Sequence, residues 1–283
     1  MVQLIDGRKA AQTLNEKTKA RVKFLKEHGI IPGLAVVLVG HNQASERYVR
    51  MKEKQAQKLG IYSVLKHLPE SISEGELLEI IATLNHDEQI NAILVQSPLP
   101  DHLDETKVIA AIDPNKDVDG FHPTNVGKLY LNLPGPYPVA CTPRGVMTLL
   151  ATNQISVRGA NVVMIGKSSI VGKPLAALLL NAGATVSILH SQTRDRSDFL
   201  KTADIVISAV GKAHLLNDTD FQPQTVVIDV GQNLDEAGHL VGDVDYPETT
   251  VNIAKITPVP GGVGPMTIAT LMQQTVEMSE WGI

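Results

Sequence analysis

Val162-Val163-Met164-Ile165-Gly166-Lys167-Ser168-Ser169-Ile170-Val171-Gly172-Lys173-Pro174 is the stretch that decides the fold. An apolar run of β type breaks at a glycine, crosses a short polar loop and enters a helix. That is the order of a nucleotide-binding strand–turn–helix. The backbone N–H groups of such a loop, with the helix N-terminus behind them, favour phosphate. The spelling is G-x-S-x-x-x-G, so a search for G-x-G-x-x-G passes over it. Helix capping by a Ser-containing loop accounts for the same letters, and the residues that follow have to discriminate.

After the helix (Leu175 to Leu180) and the stop Asn181-Ala182-Gly183, a second strand reads Thr185-Val186-Ser187-Ile188-Leu189 and ends at His190-Ser191. A site selective for NAD carries Asp or Glu here, about 20 residues past the loop, to hold the ribose 2′-hydroxyl. This chain instead offers Ser191, then Arg194 and Arg196, with Lys167 inside the first loop. A carboxylate repels a 2′-phosphate, whereas hydroxyl and cationic groups attract one. The expected cofactor is therefore NADP. The competing reading leaves the arginines as solvated surface.

Composition narrows the class. At 283 residues the chain is long enough for two medium domains with real cores, and 43% hydrophobic with 19% charged residues is ordinary for a globular protein. A formal net charge of −5 argues against nucleic acid as a partner. The lone Cys141 excludes an internal disulfide and fits a reducing cytoplasm. The first eight residues lack a secretory pattern, and no apolar run approaches the roughly 18 residues needed to span a bilayer. No membrane partner is expected.

Two strand–helix alternations lie end to end. The first has strands at 34–39, 62–68 and 92–96 separated by helical patterns at 8–28, 43–59 and 74–87. The second has strands at 161–165, 185–189, 204–210, 225–230 and 255–258. Alternation of this kind predicts parallel sheets covered by helices on both faces. The break between them, Leu131-Asn132-Leu133-Pro134-Gly135-Pro136-Tyr137-Pro138, can continue neither helix nor central strand. The expectation is an α/β protein of two three-layer αβα domains, the second Rossmann-like, with the active-site cleft between them. The first domain is expected over 1–139 plus 268–283, since the closing helical pattern has no strand after it and packs back there. The second is expected over 140–267.

In the first half, a strand ends at Gly40, a helix starts near Asn42 or Gln43, and Gly60 is its natural stop. Ser45, Tyr48 and Lys52, at i, i+3 and i+7, share one face of that helix. A hydroxyl, a ring and an amine just beyond a parallel strand's C-terminal end stand where open α/β sheets bind ligands. Lysine is also the side chain whose pKa burial lowers most readily. A solvated lysine beside a core-packed tyrosine remains the alternative. Ile93 to Pro100 reads as a buried strand ending in an amide and two prolines, compatible with a cis X–Pro bond. Asp113 to Gly120 fails as a calcium loop because no Glu falls at its twelfth position. The nine histidines show no metal-ligand spacing and no G-x-S-x-G elbow is present, so no metal is expected.

Together these residues resemble the bifunctional methylenetetrahydrofolate dehydrogenase/cyclohydrolase family. The likeness runs through Tyr48 to Lys52, Ile93 to Pro100, Asp117 to Pro123, Cys141 to Gly145, Gly166 to Gly172, and the highly specific Thr257-Pro258-Val259-Pro260-Gly261-Gly262-Val263-Gly264-Pro265-Met266-Thr267. It covers essentially the whole chain. The resemblance implies NADP-dependent oxidation of 5,10-methylenetetrahydrofolate to the 5,10-methenyl form and hydrolysis of that product to 10-formyltetrahydrofolate, a one-carbon donor for purine biosynthesis. It implies Lys52 as the acid–base residue of the hydrolysis, Gln96 as the partner that tunes it, Tyr48 packed on the folate, and Asp119 holding the pterin. Ser45, Val95, Ser97 and the loop Pro260, Gly261, Gly262, Val263 and Gly264 fall on the substrate side. Thr142, Gly166, Lys167, Ser168, Ile170, Ser191, Arg194 and Gln232 fall on the cofactor side. The family commonly forms homodimers.

Three positions depart from the family's usual pattern. Ser97 replaces Leu and sets a hydroxyl beside the folate, Lys167 replaces the planar fork of Arg with a point charge, and Gln232 replaces Ile. None of these is Lys52, Gln96 or Asp119. Competing classes are a member that keeps only one activity, a different two-domain NAD(P) oxidoreductase, and a non-catalytic nucleotide-binding module. The second of these lacks a convincing His or Arg pair, and the third leaves the Tyr48/Lys52 face unexplained.

Overall fold

The structure is a computed structural model that describes residues 2–247 and 249–281. In chain order its elements begin with β1 (Gln3–Leu4), α1 (Gly7–Glu27), β2 (Gly33–Val39), α2 (Gln43–Leu59), β3 (Tyr62–Leu68), α3 (Glu74–His86) and β4 (Ala92–Val95). Then come α4 (Glu105–Ala111), α5 (Pro123–Tyr130), α6 (Cys141–Thr152), β5 (Asn161–Ile165), α7 (Gly172–Asn181), β6 (Thr185–Leu189), α8 (Arg196–Leu200) and β7 (Ile205–Ser208). The chain closes with β8 (Leu216–Asn217), β9 (Thr225–Asp229), β10 (Asn233–Leu234), β11 (Leu240–Val241), β12 (Val244–Asp245), β13 (Ile253–Ile256) and α9 (Val263–Met278).

The chain divides into two compact units, one formed by Thr13–Cys141 with the chain from Ile268 onward, the other by Thr142–Thr267 with the chain up to Gln12. The first holds a parallel sheet in the order β3-β2-β4. Every residue of β2 is buried, which is why Gly33 to Val39 reads as an unbroken apolar run rather than an alternation. Its side chains nevertheless alternate in direction. Leu34, Val36 and Leu38 pack with Val22 and Leu25 of α1, Val49, Ala56 and Leu59 of α2, and Leu271, Met272 and Val276 of α9. Ala35, Val37 and Val39 pack on the opposite face with Leu77, Ile81 and Leu84 of α3 and Val108 of α4. The result is three layers. Each fully buried Leu or Val contributes about 1.5–3 kcal/mol, so the sheet is the rigid floor on which side chains at its C-terminal ends are set.

The second unit holds a six-stranded parallel sheet ordered β1-β13-β9-β7-β5-β6. β5 lies between β6 and β7, so the winding reverses at β5, and a ligand crevice in such a sheet lies outside the strand ends at that reversal. Gly166 follows β5 directly. Residues 2–12 group with this unit, where Gln3 and Leu4 pair with Lys255 and Ile256 and extend the sheet at the β13 edge. Two residues carry too little pattern to announce a strand. The same brevity hid the small pairings β10 with β11 and β12 with β8.

Candidate active site

In the first unit, α2 is set by both of its ends. Asn42 caps it by accepting the Ser45 N–H at 3.0 Å, and Gly60 closes it in the left-handed conformation at φ 82°. The buried face of the helix runs through Ser45, Val49, Ala56 and Leu59, and Lys52 lies on that line, half-buried. β4 ends at Val95, whose register with Val37 presents Gln96 just beyond the sheet. There the Lys52 Nζ donates to Gln96 Oε1 at 2.9 Å. The other end of that amide donates to the Ser97 carbonyl at 2.7 Å, which fixes the way it faces. Ser45 Oγ donates to the same carbonyl at 3.4 Å. Helix and strand end are thus tied through one chain of bonds, with Tyr48 a turn away at the surface. The Ser97–Pro98 peptide is cis.

Asp119 reaches this group by a route the sequence concealed. Ile93 donates to the Lys116 carbonyl at 2.6 Å and accepts from Val118 N–H at 3.3 Å, so residues 116–118 run beside β4 as an extra bridge. Asp117 is buried there and accepts from His122 N–H at 2.8 Å and from Asn125 Nδ2 at 2.9 Å. Gln274 Nε2 and Cys141 Sγ both donate to the Val118 carbonyl, at 2.6 and 3.4 Å. Gly120 completes the turn at φ 65°, where a Cβ would come within 2.6 Å of the backbone of Val139 and Ala140. The turn cannot accept another residue.

The electrostatics are reciprocal. Desolvation lowers the Lys52 pKa below the ordinary lysine range, while the Asp119 carboxylate and the Cys141 thiol push it back up. Desolvation likewise raises Asp119 to about 6, opposed by Lys52 and assisted by Asp117. Both groups are driven toward neutrality, which suits proton exchange near pH 7. The Ser97 hydroxyl donates to Glu105 Oε1 in the first turn of α4, which leaves its lone pairs as acceptors.

The other candidates lie in the second unit. Gly166 has φ 117°, and a Cβ on it would stand 2.4 Å from the Ala209 carbonyl oxygen; one on Gly172 would stand 2.2 Å from the Gly166 oxygen. These are the tight turn and the close helix–strand approach that a phosphate-binding loop needs. Ser168 Oγ accepts from Val171 and Gly172 N–H, both at 3.2 Å, which ties the loop to the start of α7. Lys167, Ile170, Ser191 and Arg194 are exposed along the C-terminal ends of β5 and β6. Thr142 Oγ1 pairs with Thr267 Oγ1 at 2.9 Å. Gln232 lies over Gly264, its Nε2 only 3.0 Å from where a Cβ would be. In the loop Pro260–Gly264, Gly261 has φ 119° and its carbonyl accepts from Arg8 N–H at 3.1 Å.

Beneath these loops is a carboxylate pair the sequence did not reveal. Asp243 accepts from Ser208 Oγ at 2.8 Å, Val210 N–H at 2.9 Å, Lys212 N–H at 3.0 Å and Asn233 Nδ2 at 3.0 Å. Asp229 accepts from Gly231, Asp243 and Val244 N–H at 2.8, 3.0 and 2.9 Å. Burial raises Asp229 to about 6, against the pull of those donors. Gly231 and Gly242 leave room for the carboxylates, since a Cβ on either would fall within 2.2 Å of one. The pair shapes the turns after β7 and β9, on the same edge of the sheet as Gly166.

The tetrahydrofolate dehydrogenase/cyclohydrolase catalytic domain matches residues 5–119, and the NAD(P)-binding domain of the same name matches 140–282. The chain belongs to the tetrahydrofolate dehydrogenase/cyclohydrolase family. Among its relatives, the bifunctional protein FolD of Levilactobacillus brevis is 56% identical over 281 residues, covering 99% of this chain and 98% of the relative. The crystal structure of the bifunctional enzyme FolD from Campylobacter jejuni superposes with a TM-score of 0.97 at 47% identity, covering 100% of both chains. That of the Trypanosoma brucei methylenetetrahydrofolate dehydrogenase-cyclohydrolase, complexed with NADP cofactor and inhibitor, has a TM-score of 0.94 at 36% identity and covers 99% of this chain and 98% of that one. Within the family, the Lys52 cluster falls in the catalytic match and the Gly166 loop in the NAD(P)-binding match.

Proposed function

We propose that this chain oxidises 5,10-methylenetetrahydrofolate to 5,10-methenyltetrahydrofolate with NADP and hydrolyses the product to 10-formyltetrahydrofolate. The observation that carries the reading is Lys52: an amine drawn out of water, bonded to Gln96 at 2.9 Å and electrostatically coupled to Asp119. Bound NADP supplies the hydride acceptor. Its cradle is the Gly166–Gly172 turn, and the lack of a carboxylate at the tip of β6, with Lys167 and Arg194 exposed nearby, favours the 2′-phosphate. Thr142, Ser168, Ile170, Ser191 and Gln232 complete the cofactor set.

In the hydrolysis, water adds to the cationic methenyl carbon and gives up a proton to neutral Lys52. The resulting ammonium returns a proton to the departing ring nitrogen as the carbon–nitrogen bond opens. Gln96 holds the amine in place, Asp119 above pH 6 offers a charge-assisted acceptor to the pterin, and Tyr48 supplies a ring surface. Ser45, Val95 and Ser97 are the first unit's candidates for contact with the substrate, and Pro260 to Gly264 are the second unit's. The unit of Thr13–Cys141 with the chain from Ile268 onward serves as the folate-binding catalytic domain, and that of Thr142–Thr267 with the chain up to Gln12 as the NADP-binding domain.

The protein acts as a homodimer in the cytoplasm and supplies formyl groups for purine biosynthesis. Edge strand β6 and its neighbours carry exposed Leu180, Ile188 and Phe199, which argues for a partner copy there. The buried Cys141, outside any disulfide, fits a reducing compartment. Formation of methenyltetrahydrofolate, followed by absorbance with NADP and then with NAD, tests the reading, as does its decay. Faster formation with NADP and enzyme-accelerated decay are expected. No formation with either cofactor would sink it, and formation without accelerated decay would leave the dehydrogenase alone.

A further inference from the structure

We propose that His41, Glu46 and His67 form a binding site for a divalent transition metal of the zinc class at the turn from β2 into α2. One ligand atom from each residue lies within 4.8 Å of the other two. His41 Nδ1 is 3.2 Å from Glu46 Oε1, and the two imidazole rings meet edge to face with centroids 4.9 Å apart. His67 Nε2 donates to the Gly40 carbonyl at 2.8 Å, which orients the ring and leaves Nδ1 with its lone pair for a metal. The second Glu46 oxygen accepts from Arg50 at 3.2 Å, so the carboxylate is also held from outside.

Two imidazoles and one carboxylate suit Zn2+, Co2+, Ni2+ or Cu2+, whereas Mg2+ and Ca2+ require mostly oxygen. Three protein ligands leave the remaining positions to water. His41 and His67 are exposed, so an ion reaches them from solvent. His41 also lines a recess of about 340 Å3 with Asn42, Glu70 and Pro98. Spacing along the chain hides the site, because His67 arrives only through the parallel pairing that sets it opposite Leu38. A bound ion would tie β2, β3 and the first turn of α2 together, upstream of Tyr48 and Lys52 on the same helix.

The test is calorimetric titration of the untagged full chain with Zn2+, repeated with Mg2+, and with Co2+ followed by visible absorption. Wild type is expected to take up one Zn2+ per chain, to melt at a higher temperature with Zn2+, and to give visible Co2+ bands. His67→Ala should weaken Zn2+ binding at least about tenfold and abolish the bands. That variant also loses the bond to Gly40, so Glu46→Gln, which keeps the side chain's size, serves as the second probe and should weaken binding similarly. Failure of wild type to bind Zn2+, equal binding by both folded variants, or Mg2+ binding as well as Zn2+ would overturn the proposal.

Discussion

Replacing Lys52 by Met keeps most of the side chain's length and apolar stem while deleting the amine that donates to Gln96 at 2.9 Å. The fold should survive, because the stem continues to fill the half-buried face of α2 between Val49 and Ala56. The hydrolysis should not. General acid–base assistance contributes roughly 10²–10⁴-fold, equivalent to about 3–5 kcal/mol of barrier. Enzyme-dependent decay of methenyltetrahydrofolate should fall by that factor, while NADP affinity stays within about twofold, since every residue of the proposed cofactor set lies in the other unit. The sign of the pH dependence is fixed as well. Burial stabilises the neutral amine, so the wild-type hydrolysis rate should rise with pH through a midpoint below the ordinary lysine value, and the residual rate of the variant should lack that rise. Stopped-flow absorbance at several pH values measures both. Near-normal hydrolysis by a folded Lys52→Met variant would refute the reasoning.

Gln96→Glu places an anion against the amine, which raises the Lys52 pKa; hydrolysis at pH 7 should drop at least about tenfold and recover toward higher pH, and an unshifted profile would count against tuning by Gln96. Asp119→Asn removes a charge-assisted acceptor worth about 1.5–3 kcal/mol, so the folate KM should rise roughly 10- to 150-fold. Because the wild-type carboxyl titrates at about 6, folate binding should weaken as pH falls below that point, and a flat titration from pH 7 to 5 contradicts the role. Lys167→Ala should raise the KM for NADP about twofold to fivefold and leave that for NAD unchanged, as expected of one exposed cation; equal losses for both cofactors would remove Lys167 from 2′-phosphate recognition.

Where burial is two-sided or a turn is chemically demanding, the letters carried the structure. The apolar run of β2, the Gln43–Leu59 helix between Asn42 and Gly60, and the glycine turn after β5 each follow from local chemistry that few other conformations satisfy. The shared face of Ser45, Tyr48 and Lys52 needs only helical spacing, and Gln96 needs only the end of β4. Contacts made across the sequence stayed hidden. Asp119 meets Lys52 because residues 116–118 run beside β4, a pairing one bridge long. The Ser97 hydroxyl donates to Glu105, eight residues on and on another element, a bond that no spacing announces. Asp229 and Asp243 leave only the neighbouring glycines as a trace, and a glycine beside an aspartate is too common to signal a buried pair. β1 pairs with a strand some 250 residues away through two residues that show no alternation.

The most direct test is titration of the Lys52 amine itself, followed by NMR of the side-chain carbon and nitrogen next to the charge, in wild type and in Gln96→Glu. The site described here requires a midpoint clearly below 10.5 in wild type and a higher one in the variant. A wild-type midpoint at or above 10.5 would mean the amine remains an ordinary solvated cation at neutral pH, with no neutral fraction to take a proton from water.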